Sequence, residues 1–134
     1  MNIEQDRFNM IEQQIRPWNV LDEDVLALLH VVKREQFVPK AYENLAFADV
    51  EIPLPGGEAM LNPKVEARIV QEIAVKKNES VLEIGTGSGY MAALLAHTAR
   101  HVTSVEIQPE SVTLAKENLA KAGVGNVNVE EGNG

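Results

Sequence analysis

The chain has 134 residues, of which 45% are hydrophobic and 24% are charged, the composition of an ordinary folded domain. Its 20 acidic and 12 basic residues give a net charge of −8, which argues against a nucleic-acid partner and against binding to an anionic membrane surface. The sequence has no cysteine, no histidines at metal-ligand spacing and no long apolar run, so we expect a cytoplasmic protein without disulfides, bound metal or membrane segment.

Residues 1–77 are predicted to form an N-terminal segment of helices and loops. Phe8, Ile11 and Ile15 recur at helical spacing and predict one face of a first helix, which should end before the next proline. Asp22 is the expected N-cap of a second helix, because its side chain can accept a hydrogen bond from a free backbone N–H. The buried stripe of that second helix is predicted to be Val25, Leu28, Leu29 and Val32.

The stretch 46–63 is predicted to be extended or looping. It holds three of the six prolines and two adjacent glycines, which interrupt regular structure. At its end, Asn62 followed by Pro63 predicts the start of a third helix, with the Asn62 side chain as the cap. The apolar face of this helix is predicted to be Val65, Ile69 and Ile73.

From residue 78 to 134, predicted strands and helices alternate. The predicted strands are SVLEI (80–84), HVTSVEI (101–107) and NVNVEEGNG (126–134), and the predicted helices are YMAALLAHTAR (90–100) and PESVTLAKENLAKAG (109–123). This alternation with tight connections is typical of parallel βαβ units, so we expect an α/β fold with a doubly wound sheet and a buried strand SVLEI. Ligands of such sheets bind at the carboxyl ends of the strands.

The sequence VLEIGTGSGY places Gly85, Gly87 and Gly89 at the junction of the first of these strands and its helix. Glycines at this position let the backbone approach a ligand closely, although a tight turn alone would also need them. A phosphate-binding NTPase loop would need Gly-Lys-Ser/Thr, and Gly89 is followed by Tyr90 instead. The dinucleotide-binding fingerprint would need a glycine at the position of Tyr90.

The remaining pattern, acidic-x-Gly-x-Gly-x-Gly, resembles the first motif of the S-adenosyl-L-methionine-dependent methyltransferases. The resemblance implies a Rossmann-like sheet and S-adenosyl-L-methionine as cofactor. It implies Glu83 near the cofactor's amino group, Glu106 on the two ribose hydroxyls, and Asn133 near the adenine. The alternative is that Glu83 and Glu106 are solvated charges at the strand ends. The implied cofactor-binding residues are Glu83, Gly85, Thr86, Gly87, Ser88, Gly89, Glu106, Ile107, Gly132 and Asn133.

A closer resemblance lies in MIEQQIRPWNVLDEDVLALLHVVKREQFVP, which is similar to the N-terminal segment of the protein-L-isoaspartate O-methyltransferases. Together with VLEIGTGSGY it covers residues 10–134. It implies methyl transfer to the free carboxyl of isoaspartyl residues in damaged proteins, the start of their repair. It also implies a sheet of strand order 3-2-1-4-5-7-6, apparently truncated here after the third strand. We therefore expect a free edge on SVLEI and a homodimer through that edge.

The implied substrate loop departs from the family pattern. Where the family has Gly-Gln-Thr-Ile-Ser-x-Pro, this chain reads GEAMLNP, so the loop is Gly57, Glu58, Ala59, Met60 and Leu61. The two hydroxyls of the family's Thr and Ser are absent, and we expect weak methyl transfer to isoaspartyl residues. A related methyltransferase with another acceptor and a non-catalytic module that binds cofactor or a partner are the alternatives. No catalytic residue is assigned, because a carboxylate acceptor is already ionised.

Overall fold

The computed structural model describes residues 2–134, and in this range it contains five α-helices and five β-strands. The helices are α1 (Ile3–Met10), α2 (Glu23–Val31), α3 (Pro63–Ile73), α4 (Tyr90–Ala96) and α5 (Pro109–Lys121). The strands are β1 (Ile52–Pro53), β2 (Ala59–Met60), β3 (Ser80–Ile84), β4 (His101–Glu106) and β5 (Val127–Glu131). None of the helices in this part of the chain combines the length and the apolar character that crossing a bilayer requires.

The main sheet is parallel, with the strand order β3-β4-β5. In its register Val81 pairs with Val102, and Val102 pairs with Val127. Each strand is joined to the next by one helix, as the alternation of strand and helix in the sequence predicted. The segment before the sheet contributes a short antiparallel hairpin, in which β1 and β2 pair Ile52 with Met60.

The two faces of the main sheet differ in burial. Strand β4 buries Val102, Ser104 and Glu106 on the face that α4 and α5 cover. On β3, Leu82 and Ile84 are 66% and 61% exposed. The expectation of a buried SVLEI strand is therefore wrong for these two side chains. Within residues 2–134, β3 pairs with β4 alone and no helix covers the face to which Leu82 and Ile84 point.

The first helix continues further than its sequence predicted. After α1 the chain keeps helical turns through Ile11–Ile15 and then through the 3₁₀ turn Arg16–Trp18, so the proline does not end it. Ile11 and Ile15 are buried, but Phe8 is half exposed. Arg7 is buried in its place, because its guanidinium pairs with the Glu4 and Glu35 carboxylates and stacks over an aromatic ring.

Two helix caps test the sequence prediction directly. Asp22 caps α2 as expected: its Oδ1 accepts from the backbone N–H groups of Asp24 at 2.9 Å and Val25 at 3.2 Å. Asn62 precedes α3 but makes no capping bond. Its side-chain amide donates instead to Asp49 Oδ1 at 2.8 Å, so the predicted cap is replaced by a bond to the preceding loop.

Helix α3 also turns a different face inward. The predicted apolar face is only partly buried, and Ile73 is half exposed. The buried residues include Glu66, Ala67 and Val70. A glutamate can occupy this face because Arg34, from the N-terminal segment, neutralises it in the interior.

The Arg34 side chain is 1% exposed and joins several parts of the chain. Its Nε and Nη2 donate to Glu66 Oε1 at 3.2 and 2.9 Å. Nη1 donates to the Ala46 carbonyl oxygen at 2.5 Å, and Nη2 also donates to the Leu61 carbonyl oxygen at 2.9 Å. The guanidinium also lies 5.5 Å from the centre of the Tyr90 ring. One side chain thus fixes α3, the end of the hairpin and α4 relative to each other.

We expect Arg34→Met to reduce the free energy of unfolding by about 3–5 kcal/mol, because it leaves the buried Glu66 carboxyl and two carbonyls without their donor. Urea denaturation followed by circular dichroism measures the loss. The matched control is Arg16→Met, which removes a pair with Glu12 whose two side chains are each 37% exposed. That control should cost less than about 1 kcal/mol. Equal losses in the two variants would contradict the role given to Arg34.

Candidate functional site

The loop between β3 and α4 contains three glycines with positive φ angles, namely +93° at Gly85, +56° at Gly87 and +91° at Gly89. A Cβ on Gly87 would lie 3.2 Å from a methyl group of Leu54, and one on Gly89 would lie 3.3 Å from Leu119 Cγ, which are both tight contacts. The left-handed backbone conformation favours glycine at these two positions, and the close packing adds to that preference. A Cβ on Gly85 would meet no atom within 4 Å, which leaves open space beside the loop at that point.

Glu106 holds this loop in place. The side chain, at the carboxyl end of β4, is 1% exposed. Its Oε1 accepts from the Gly87 N–H and its Oε2 from the Gln108 N–H, both at 3.0 Å. The carboxylate thus ties the glycine loop to the turn between β4 and α5. Each carboxylate oxygen has a second lone pair, so Glu106 retains capacity to accept hydrogen bonds from a ligand.

Glu83 belongs to a small network of polar side chains beneath the glycine loop. Ser104 Oγ donates to Glu83 Oε1 at 2.5 Å and is also hydrogen-bonded to the Thr86 hydroxyl. Burial raises the pKa of Glu83 to about 7, with the Glu106 charge adding to the rise and the Ser104 bond opposing it. A positively charged ligand group placed here would favour the ionised form. Within residues 2–134 no group of three or more histidine, aspartate or glutamate side chains is arranged to hold a metal ion.

A cavity of about 290 Å³ brings the predicted cofactor and substrate segments together. One wall consists of the loop residues 85–88 with Glu83, and the other of residues 59–61. Met60 is buried, whereas Ala59 and Leu61 are exposed. Glu58 does not line this cavity: its carboxyl accepts a hydrogen bond from Ser111 of α5 at 3.3 Å.

Five of the predicted cofactor residues do not line this cavity, namely Gly89, Glu106, Ile107, Gly132 and Asn133. Ile107 is 55% exposed directly after β4. Gly132 and Asn133 follow β5, so they too lie at the carboxyl ends of the parallel strands. The Gly132 N–H donates to the Glu106 carbonyl at 2.9 Å, which holds the two strand ends together. Thr86 and Ser88 are buried beneath the loop, so their side chains support its shape.

Three supporting residues were not predicted from the sequence, namely Ser104, Ser111 and Asn118. Ser104 carries a recognisable signal, since it lies two residues before Glu106 and therefore on the same face of a strand. Asn118 Nδ2 donates to the Ser88 carbonyl at 3.0 Å, which anchors the glycine loop to α5. No sequence pattern indicates this bond or the one from Ser111 to Glu58, because both partners lie far apart along the chain.

Comparison with known proteins identifies the family. The family model described as Protein-L-isoaspartate(D-aspartate) O-methyltransferase (PCMT) matches residues 5–134. The chain belongs to this family. The protein-L-isoaspartate O-methyltransferase of Methanoculleus marisnigri is 43% identical over 129 residues, which cover 96% of this chain and 59% of that protein. Protein-L-isoaspartate O-methyltransferase 2 of Anaeromyxobacter sp. is 40% identical over 131 residues, covering 98% of this chain and 54% of that protein. The chain thus spans a little more than half the length of these relatives.

Solved structures of the family confirm the expected Rossmann-like fold. A protein-L-isoaspartate O-methyltransferase from Plasmodium falciparum, solved in complex with S-adenosyl-L-homocysteine, superposes with a TM-score of 0.76 at 17% identity. The match covers 90% of this chain and 60% of that one. A second protein-L-isoaspartate O-methyltransferase superposes with a TM-score of 0.77 at 26% identity, covering 98% of this chain and 42% of that one. The three parallel strands therefore form part of the family's sheet.

Proposed function

We propose that the protein is an S-adenosyl-L-methionine-dependent O-methyltransferase that methylates isoaspartyl residues of damaged proteins, as a step of protein repair in the cytoplasm. The observation that carries this proposal is that one cavity is lined both by the glycine loop and by residues 59–61. Membership of the family and the bound S-adenosyl-L-homocysteine in a structural relative support it. The net charge of −8 favours a protein or peptide substrate over nucleic acid or an anionic membrane.

In this proposal the glycine loop and the strand ends bind the cofactor, which supplies an electrophilic methyl group when bound. Gly85 lets the loop pass close to the amino-acid part of the cofactor, because there is open space beside this residue. Glu83 accepts hydrogen bonds from the amino group, whose positive charge lowers the raised pKa of this carboxyl. Glu106 accepts from the ribose hydroxyls through its free lone pairs. Ile107 and Asn133, which follow β4 and β5, would contact the adenine.

The walls of the cavity suit an acceptor that needs positioning more than proton transfer. An isoaspartyl carboxylate is ionised at neutral pH, so its oxygen can attack a methyl group without a general base. Met60, Leu61 and Ile69 give the cavity apolar walls. Alignment of the acceptor oxygen with the methyl group is then the main contribution of the protein.

The cofactor site can be tested with two variants. We expect Glu106→Ala to weaken the binding of S-adenosyl-L-homocysteine by about 1–3 kcal/mol, because buried hydroxyls lose their acceptor. Gly87→Val should also weaken it, because a branched side chain at a φ of +56° displaces the loop. Isothermal titration calorimetry measures both. The control is Glu131→Ala, which removes an exposed carboxylate from the strand end beside Glu106. Unchanged affinity in both variants would refute this placement of the cofactor.

The acceptor side can be tested by restoring the family's hydroxyls. We expect the double variant Ala59→Thr, Leu61→Ser to transfer more methyl groups to an isoaspartyl peptide than the unmodified protein, because both positions line the cavity and are exposed. Transfer of radiolabelled methyl groups measures the rate. Val50→Ser, at an exposed position outside the cavity, is the control. Strong activity of the unmodified protein with no gain in the double variant would show that the hydroxyls are not needed.

We further propose that two copies of the chain associate through the free edge of β3. The strand has no proline or lysine to prevent pairing, and within residues 2–134 its other edge alone is hydrogen-bonded. Leu82 and Ile84 add exposed apolar surface on the strand, and Ile73 of α3 is also half exposed. A second copy can add its own β3 to this edge about a two-fold axis, which closes both edges at once.

Light scattering at micromolar concentration should therefore give the mass of a dimer. Leu82→Lys should shift the protein to a monomer, because a charge beside the edge opposes pairing. Val31→Lys, which changes an exposed apolar residue of α2, should leave the dimer intact. A monomer at every concentration, or a Leu82→Lys variant that dimerises as strongly as the unmodified protein, would exclude pairing through β3.

A further inference from the structure

Glu66 of α3 places a carboxylate in the wall of the cavity that carries residues 59–61. The residue lines the cavity and is only 4% exposed. Arg34 Nη2 donates to Glu66 Oε1 and to the Leu61 carbonyl oxygen, both at 2.9 Å. The Glu66 carboxyl therefore lies beside the predicted substrate segment, and its position is fixed by the same guanidinium that fixes the end of the hairpin.

The second carboxylate oxygen of Glu66 is free to accept a hydrogen bond. Both bonds from Arg34 go to Oε1, and no donor among residues 2–134 reaches Oε2. In that range the only side-chain oxygen or nitrogen that is fully buried without a partner is Gln14 Oε1, so Glu66 Oε2 keeps accessible surface. Since Glu66 is otherwise buried and lines the cavity, this oxygen faces the cavity.

The charges around Glu66 make this oxygen an acceptor above neutral pH. Burial raises the pKa of Glu66 to about 7, and the charge and hydrogen bonds of Arg34 oppose the rise. The other titratable groups of the cavity are Glu83 of β3 and the buried hydroxyl of Tyr90, and no lysine, arginine or histidine of the described chain lines it. An ionised carboxylate oxygen can only accept, so Oε2 suits a ligand that brings an N–H group.

We propose that Glu66 determines specificity for the methyl acceptor, because its Oε2 accepts a hydrogen bond from the N–H group of the isoaspartyl residue itself. This inference rests on the proposed function. In an isoaspartyl residue the backbone N–H and the free carboxylate are attached to the same carbon. In an ordinary aspartyl residue the carboxylate is one carbon further from the N–H, so the same bond would displace the reacting oxygen. A ligand without the N–H leaves Oε2 unpaired inside the closed site, which is how such sites reject close analogues.

The experiment compares two isoaspartyl peptides that differ at one atom, an ester oxygen replacing this N–H in the second. Calorimetry measures their dissociation constants for the purified chain at about pH 8.5, with saturating S-adenosyl-L-homocysteine, so that Glu66 is ionised. The amide peptide should bind about tenfold more tightly or better, as expected for a hydrogen bond to a charged group.

Two variants assign that difference to Glu66. In Glu66→Gln the ratio should fall to about twofold or less, because the amide oxygen can accept from Arg34 while the NH₂ group, a donor, faces the cavity. Glu72→Gln is the matched control on the same helix, since it removes an exposed partner of Arg68, and it should keep the tenfold ratio of the unmodified protein.

The pH dependence is a second measurement on the unmodified protein, which decides even where Glu66→Gln does not fold. The ratio should fall as the pH is lowered from about 8.5 to about 5.5, because protonation of Oε2 removes the hydrogen-bond acceptor. Glu83 titrates in the same range but affects both peptides, so it cancels in their ratio.

The outcomes separate this inference from the proposed function. An equal ratio in the unmodified protein and folded Glu66→Gln, or a ratio that does not change with pH, overturns the role of Glu66. Weaker binding of S-adenosyl-L-homocysteine to folded Glu66→Gln would assign Glu66 to the cofactor and also overturns it. Binding of S-adenosyl-L-homocysteine without binding of either peptide overturns the inference and leaves the cofactor site standing. If neither the cofactor product nor a peptide binds to the folded, unmodified protein, the proposed function falls and the inference falls with it.

Discussion

The Arg34 guanidinium is the buried charge around which the N-terminal segment and the sheet are joined. It is bonded to Glu66 of α3 and to two backbone carbonyls, one of them at Leu61 directly after the hairpin. It also lies over the ring of Tyr90, the first residue of α4. Since α4 begins at the end of the glycine loop, these bonds fix the distance between the two walls of the cavity. The site therefore depends on a residue that does not line it.

The elements that were predicted correctly are those whose signals are local. The cap at Asp22, the buried stripe of α2 and the alternation of strands and helices after residue 78 all follow from residues within a few positions of each other. The errors occur where distant partners decide. Phe8 is exposed because Arg7 and Glu35 take its place in the interior, and α3 buries Glu66 because Arg34 is there to pair with it. Hydrophobic periodicity cannot detect such pairs.

The candidate site shows the same division between local and distant information. The glycine spacing and the position of Glu106 at a strand end identified the loop and its carboxylate from the sequence. The sequence did not show that Glu106 also holds the loop by accepting from Gly87, or that Thr86 points into the interior. It also grouped Glu58 with Ala59 as one substrate loop, although the hairpin directs Glu58 to Ser111 of α5 and Ala59 to the cavity. Glu58 has an extended backbone directly before β2, and successive side chains of extended chain point to opposite sides.

The way in which β3, β4 and β5 follow one another has a consequence for the order of folding. Each pairs with its nearest successor in the chain, which is the shortest connection that parallel strands allow. The bonds of the hairpin to α5, such as Ser111 to Glu58, close a loop of more than twice that length. Because the entropy cost of closing a loop grows with its length, we expect the three strands and their helices to assemble first. The hairpin would dock onto them afterwards, so the cavity would be completed in one of the last folding steps.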